Sequence, residues 1–568
     1  MRSGVDLTGP LAALRGAIAA SRFAMAVPGA AEASAEREAL VRQVDDYLLP
    51  RLRSLDAPLL AVVGGSTGAG KSTLVNSLVG AEVSTAGVLR PTTRAPVLVC
   101  NPADRRWFED DRVLPGLSRT TGAEAGPGTV HLVESTGLEP GLALVDAPDV
   151  DSVVSANRAL AAQLLAAADL WIFVTTAARY ADAVPWELLA AASERSAEVA
   201  VVLDRTPAGA IEEVAADLLR MLAEHGLGDA LVRSIAESSL EHGLLPDEQV
   251  VPLRAWLSAL AGDAEARAVV VRSTLDGALS SMERKVAALA TAARDQERAA
   301  AELRRIVADS YAGARGDVVE SMRDGTLLRG EVLARWQEFV GTGELMQSVQ
   351  AKIGAARDRA WAALTGRATS VAGVQEAVES GVEALVHAAA DRAAGRTVSG
   401  WRDSAAGRGL VQGRERELGR ASAALLAALP DEVRSWQGHV LDLVREQGAG
   451  KRTSARIASY TLNGAGLAVM LAVFAHTGGL TGTEVAVAGG TSAASQKLIE
   501  AVFGDQAVRA LARQAREDLF DRVERLLAED GRRFHELVDA AGPHNGGQDL
   551  GDALVGWQAA RKGPGGGT

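Results

Sequence analysis

The sequence predicts an α/β domain built on a mostly parallel sheet, joined to a long all-α helical bundle or stalk. Three observations carry that reading. An unbroken apolar run, Leu59–Val63, leads through a glycine-rich turn into Leu74, Val75 and Leu78 at helical spacing. From residue 58 to about 255, short apolar runs alternate with helical stretches, the pattern of parallel strands joined by crossover helices. From about Val269 to about Asp539, Ala, Leu, Glu and Arg dominate and prolines are few, which favours long packed helices.

A chain of 568 residues exceeds what one hydrophobic core organises, so several domains are expected. The formal net charge of −13 argues against a general nucleic-acid binder, and no nucleic-acid partner is expected. Cys100 is the single cysteine, which excludes an intramolecular disulfide and a cysteine metal cluster and suits a reducing cytoplasm.

Residues 1–57 read as two helices broken near Pro28-Gly29. Arg15 and Arg22 interrupt the apolar part, which favours an amphipathic helix over an export signal. Ser34 is the expected cap of the second helix, Glu36 falls in its first turn, and Pro50 should end or kink it. Leu40, Val41, Val44 and Leu48 line one side, which is expected to pack on the helical bundle. Within 58–255, strands are expected at Leu59–Val63, Ala95–Cys100, Val130–Val133, Gly141–Asp146, Leu170–Thr175, Ala197–Leu203 and Leu231–Ala236. Helices are expected at Val154–Ala168, Pro185–Arg195 and Ile211–His225. Residues 256–455 read as the bundle, with weak breaks near Gly325, Gly341, Gly343, Gly366, Gly407 and Gly409. Residues 498–561 read as returning bundle helices, and 562–568 as a disordered Gly/Pro-rich tail.

The turn after the first strand is Gly65-Ser66-Thr67-Gly68-Ala69-Gly70-Lys71-Ser72-Thr73, a full match to the phosphate-binding loop. Its glycines let backbone N–H groups face a polyphosphate, and the new helix points the positive end of its dipole at the same anion. Lys71 can reach the β- and γ-phosphates, and the Ser72 hydroxyl can ligate Mg²⁺. In Leu89–Val97, a mobile threonine such as Thr93 can bind Mg²⁺ and hold the attacking water.

Asp146 ends an apolar strand in Leu144-Val145-Asp146-Ala147-Pro148-Asp149, where a phosphate-loop NTPase keeps its Mg²⁺ anchor. Switch GTPases commonly place Gly where Asp149 stands. A carboxylate cannot sit directly against a γ-phosphate, so either this loop is displaced in the nucleotide state or Asp149 contacts Mg²⁺ or water. Val150 stands at the place of the frequent catalytic Gln, leaving water positioning to Thr93, Thr67, main chain or a partner.

Asp204-Arg205-Thr206-Pro207 stands where Asn/Thr-Lys-x-Asp selects guanine. Arg205 could stack its stem on the base and Asp204 could supply a carboxylate; a plain strand-end turn is the alternative. Glu237, after the last strand, is a candidate for the base-side loop. Arg179-Tyr180-Ala181-Asp182 follows Leu170–Thr175 and reads either as a contact between such domains or as a surface loop.

The combination Val-Val-Gly-Gly-Ser-Thr-Gly-Ala-Gly-Lys-Ser, then Thr93-Arg94-Ala95-Pro96, resembles the GTPase domains of the dynamin superfamily and the bacterial dynamin-like proteins. More widely it is similar to the Era-related P-loop GTPases of the translation-factor-related class. The resemblance covers about residues 58–255. It implies GTP and Mg²⁺ as ligands, a bundle built from segments before and after the GTPase domain, and a membrane-active tip. By matching, Lys71 and Ser72 take the phosphate and metal roles, Thr93 the switch role and Asp146 the metal-anchor role. Thr67 stands near where dynamins commonly place a catalytic Gln. Asp149, Asp204 and Pro207 depart from the usual patterns, which bears on turnover and base choice.

Residues 456–497 form an apolar, glycine-rich stretch, and Ile457–Thr483 within it contains no Asp, Glu, Lys or Arg. That run is long enough to cross a bilayer, which takes roughly 20 residues. Gly478, Gly479 and Gly482 offer a turn between two arms, and flanking Lys and Arg could keep both ends on one side. A buried bundle helix is the alternative, since Asn463, His476 and many glycines dilute the apolarity.

The sequence thus describes a dynamin-like GTPase that couples GTP hydrolysis to membrane attachment or remodelling. It would be cytoplasmic, peripheral or hairpin-anchored on the inner face of the cell membrane, bind lipid, and form homo- or hetero-oligomers through its GTPase domain or stalk. Two alternatives stand beside it: a soluble Era-like regulatory GTPase docking a protein or ribosomal partner, and a weakly active nucleotide-binding protein with relaxed base specificity.

Overall fold

The computed structural model describes residues 6–85, 95–121, 128–152, 155–194, 197–323, 370–449, 505–542 and 546–563. Thr93, the expected breaks at Gly325, Gly341, Gly343 and Gly366, and the apolar stretch 456–497 lie outside the described residues.

The strands are β1 (Leu59–Gly65), β2 (Val97–Cys100), β3 (Ser118–Thr120), β4 (Thr129–Glu134), β5 (Leu142–Asp146), β6 (Leu170–Thr176), β7 (Glu198–Thr206) and β8 (Leu231–Ala236). They form one sheet in the order β3-β4-β2-β5-β1-β6-β7-β8. β2 runs antiparallel to β5, and the other pairings are parallel. Every residue of β1 and β5 is buried, because helices cover both faces of the sheet. Alternation along β1 divides two cores: Leu60 and Val62 enter one, Leu59, Ala61 and Val63 the other. Val63 is in register with Asp146, and Gly65 with Val174, so the carboxyl ends of β5, β1 and β6 come level. This is a G-domain-like α/β fold, with a long helical region after it.

Helices α1 (Thr8–Ala20), α2 (Ala30–Gln43) and α3 (Leu49–Arg53) precede the sheet. α4 (Lys71–Val79), α5 (Ser155–Ala166), α6 (Ala183–Glu194), α7 (Ile211–Glu224) and α8 (Asp247–Gly262) surround it. α9 (Ala264–Arg323) contributes residues to both of the compact units into which the chain divides. The first unit comprises Met1–Phe23, Gly29–Asp295 and Asn545–Thr568; the second comprises Ala24–Pro28 and Gln296–His544.

Several expectations need correction. Ser34 does not cap α2: Gly29, at φ +79°, turns the chain straight into the helix, so Ser34 lies inside it. Pro50 does not end the helical run. The turn before it, Val44–Leu48, is wound wide as a π-helix, and the run continues through α3. The N-terminal helices do not pack on a separate bundle alone. α1 meets the chain's last helix, Gly546–Lys562, α2 meets α5, and Arg51 pairs with Asp169 at the start of β6. The boundary expected at residue 255 falls within α8, whose Leu257 and Ala261 are buried in the sheet-side core. β3 was not expected, and β7 runs three residues beyond Leu203.

In the second unit, α10 (Ser370–Arg402), α11 (Ala405–Val411), α12 (Glu415–Leu418), α13 (Ala423–Ala449) and α14 (Asp505–Ala541) pack with the later part of α9. Tryptophan N–H groups find backbone acceptors in that core. Trp401 Nε1 donates to Leu303 O at 3.1 Å, and Trp436 Nε1 to Ala515 O at 2.8 Å. Tyr311 Oη donates to Asp530 Oδ2 at 2.6 Å, and Ser422 N–H donates to Asp530 Oδ1 at 2.8 Å. The helical run breaks near Gly407 and Gly409, between Arg402 and Ala405 and again after Val411, and Gly407 allows a close approach there, since a Cβ on it would lie 2.2 Å from Trp401 O. Among the described residues, no helix is long and apolar enough to cross a membrane.

Candidate nucleotide site

The loop between β1 and α4 needs its glycines. At Gly65, with φ +149°, a Cβ would lie 2.0 Å from Val174 O on the neighbouring strand. At Gly70, with φ +96°, it would lie 2.2 Å from Asp204 Oδ2. Gly70 O accepts Leu74 N–H at 2.8 Å and so begins α4, whose N-terminus opens at the carboxyl edge of the sheet.

Lys71 is 6% exposed, and its Nζ donates to Gly65 O and Ser66 O at 3.0 Å each. The third partner is Asp149 Oδ1, in a direct ion pair. Ser72 Oγ donates to Asp146 Oδ2 at 2.6 Å, and Ser84 Oγ donates to the same oxygen at 2.5 Å. Burial pushes the Asp146 carboxyl up, against the two hydroxyl bonds and the charge of Lys71. Its other oxygen, Oδ1, is buried with no partner among the described residues. A fully buried carboxylate with one idle oxygen beside two hydroxyls is a hard, all-oxygen donor set that fits Mg²⁺.

Ser84 was not foreseen. Asn76 holds it in place: Asn76 Oδ1 accepts the N–H groups of Val83 and Ser84 at 2.9 Å each, and its Nδ2 donates to Ser84 O at 2.8 Å. Asn76, a polar residue among Leu74, Val75 and Leu78, was the available signal.

Thr67 is engaged at each of its polar groups. Its N–H and Oγ1 donate to Asp151 Oδ1 at 2.6 and 2.7 Å, and its carbonyl accepts Arg179 Nη1 at 3.1 Å. Arg179 also pairs with Asp151 Oδ2 at 2.6 Å and with Asp182 at 2.9 Å. Burial alone would push the Asp151 carboxyl up; the Thr67 bonds and the Arg179 charge outweigh it and hold the carboxyl below its ordinary range.

At the end of β7 the register slips between Leu203 and Thr206, and Arg205 takes φ +52°. Asp204 is 4% exposed and faces the phosphate loop near Gly70, with Oδ1 accepting Arg205 N–H at 2.8 Å. Burial pushes its carboxyl up. The Arg205 side chain is exposed, and Glu237 N–H donates to Thr206 O at 3.0 Å, which sets Glu237 beside the strand end. Thr73 lies in the first turn of α4, where its carbonyl accepts Ser77 Oγ at 2.7 Å.

The fold therefore gathers Gly65 to Thr73, Asp146 and Asp204 around one loop, with Arg205 and Glu237 at its exposed end; Thr93 lies outside the described residues. No protein-family model and no curated protein matches the chain. Among solved structures, it is similar to a bacterial dynamin pair described as oligomerised and as a mechanism for long-range sensing and tethering of membranes. That likeness has 10% identity and a TM-score of 0.42, over 95% of this chain and 97% of the other. It is also similar to LeoA, a bacterial dynamin GTPase from ETEC, with 11% identity and a TM-score of 0.24 over 97% of each chain. Toc33 from Arabidopsis thaliana, in complex with Mg²⁺ and GMPPNP, has 16% identity and a TM-score of 0.24, over 40% of this chain and 93% of its own. Nothing in these comparisons supports the wider resemblance to Era-related GTPases.

Proposed function

We propose that this chain is a dynamin-like GTPase that binds GTP with Mg²⁺, hydrolyses it, and couples the cycle to membrane attachment or remodelling. The observation that supports this most directly is the meeting of Lys71, Ser72 and the buried Asp146 carboxylate at one glycine-shaped loop. In this reading Lys71 neutralises charge on the β- and γ-phosphates, and the loop N–H groups orient them. Ser72 and Asp146, with Thr93, would hold Mg²⁺, which when bound would neutralise phosphate charge. Thr67 and Thr93 take the water-positioning task that Val150 cannot. Turnover is slow until a partner or a second copy completes the site.

Lys71→Ala should abolish GTP binding or turnover while the protein keeps its cooperative melt. Unchanged GTP binding and unchanged turnover in that variant would overturn the site. A second reading, relaxed base choice, draws on Asp204: a carboxylate buried against the phosphate loop is not free to read a guanine edge. GTP should still displace a labelled guanine nucleotide better than ATP, by a smaller margin than a dedicated Asp gives. Equal displacement by both would make this a nucleotide-binding protein without guanine preference.

The membrane half of the proposal draws on the uncharged stretch Ile457–Thr483. Val469→Asp places a carboxylate in it, which costs about 2.5–3.5 kcal/mol on insertion scales. Flotation with liposomes should lose the variant but keep its melting temperature. A parent chain that does not float, together with a variant that melts far lower, would assign the stretch to a soluble core.

A further inference from the structure

We propose that Asp149 and Asp151 are an internal stand-in for the nucleotide's phosphates, so that the loop carrying them closes the site and must be displaced when a triphosphate enters. This rests on the nucleotide reading above and assigns a regulation to the same site. The two carboxylates flank Val150 on one short loop and engage the phosphate loop at separate points. Asp149 takes the Lys71 ammonium. Asp151 takes the Thr67 N–H and hydroxyl.

A main-chain N–H and a lysine ammonium on a phosphate loop are the donors that a polyphosphate uses. Here acceptor oxygens of the chain itself use them. The loop between the carboxylates is anchored. Val150 is buried, its N–H donates to Gly65 O at 3.3 Å, and Ser152 N–H donates to Asp149 O at 3.4 Å. The pairing is therefore a formed arrangement of several contacts rather than one stray side chain.

Charge decides that the arrangement is exclusive. A γ-phosphate in contact with Lys71 would sit against the Asp149 carboxylate, and like charges at contact repel more strongly in a site of reduced polarity than in water. Lys71 is nearly buried and stays paired either way, so one anion replaces the other with little change in its own desolvation. Asp151 is better held than Asp149, because Arg179 binds its second oxygen and also clasps the Thr67 carbonyl. Asp149 is thus the weaker of the two contacts and the one whose charge most opposes the nucleotide. The closed loop lowers apparent affinity by the fraction of molecules that hold it closed.

The test is a titration of the full chain with a fluorescent, slowly hydrolysed GTP analogue and Mg²⁺, in parent, Asp149→Asn and Asp151→Asn proteins, with melting curves with and without nucleotide. Asp149→Asn should bind at least tenfold more tightly and melt lower than the parent without nucleotide. Asp151→Asn should also tighten binding, by less, and serves as the deciding variant if Asp149→Asn does not fold. A folded variant whose affinity is unchanged or weaker than the parent's, where the parent binds, overturns the stand-in and leaves the nucleotide reading intact. If neither parent nor variants bind GTP or ATP, the nucleotide reading fails, and the stand-in with it.

Discussion

Two ion pairs in the first compact unit have opposite designs. Asp169 is locked by fixed donors: Arg51 on both oxygens, Tyr47 Oη at 3.2 Å and Leu60 N–H at 2.9 Å. The Arg51 guanidinium spends its remaining N–H groups on the carbonyls of Ser54, Ala57 and Pro58. Neither side chain is more than 7% exposed, so removing one charge strands the other in a medium that cannot solvate it. Arg51→Ala should therefore cost about 3–5 kcal/mol of stability, read by urea unfolding of the full chain. A loss below about 1 kcal/mol would mean that the pair is hydrated and exchangeable. Asp149, by contrast, is partly exposed, and its ion pair with Lys71 sits on a loop rather than between a helix and a strand. The first pair fixes α3 to the sheet; the second is built to exchange.

At the scale of elements, the sheet was legible because its strands are buried on both faces and so read as unbroken apolar runs. β3 was not, because Ser118, Arg119 and Thr120 are polar and only three residues long. The glycine pattern of the phosphate loop was equally legible, since only glycine survives where a Cβ would meet Val174 O at 2.0 Å. The charge conflict posed by Asp149 could be read, but not its outcome. Which cation it would find depends on β1 and β5 lying side by side, and strand adjacency is a property of the sheet rather than of either strand. Ser84 was missed for a similar reason: it reaches Asp146 from the start of the connection between α4 and β2, ahead of the stretch read for Thr93, and only Asn76 hinted at it. The end of β7 was left open in the sequence, where Asp204 fitted a base-reading role or a plain strand-end turn. In the structure the register slips beyond Leu203, Asp204 is buried against Gly70 and Arg205 is exposed.

Over the whole molecule, the first compact unit is closed by the chain's last helix, more than five hundred residues from its first (Gly546–Lys562 against Thr8–Ala20). That helix, α15, buries Leu550, Leu554 and Trp557 in the core that also holds Leu11, Leu14 and Ile18. Trp557 Nε1 donates to Glu283 Oε1 at 2.9 Å, and Arg561 reaches the same carboxylate at 2.8 Å, tying α15 to α9. Burying three such side chains contributes on the order of 5 kcal/mol or more at about 1.5–3 kcal/mol each. That rivals the roughly 5–15 kcal/mol by which whole domains are stable. A chain cut after Ala541 should therefore lose the cooperative melt of this unit, and its GTP affinity with it, although every nucleotide-site residue is retained. Trp557→Ala in the full-length chain should move stability the same way by about 3–5 kcal/mol, which separates the loss of packing from any effect of truncation. Scanning calorimetry with and without GTP reads both. A truncated protein that melts and binds like the parent would make α15 peripheral. The expected loss would mean instead that this unit completes its fold only after the entire helical half has been synthesised, because its closing contact is the most distant in sequence.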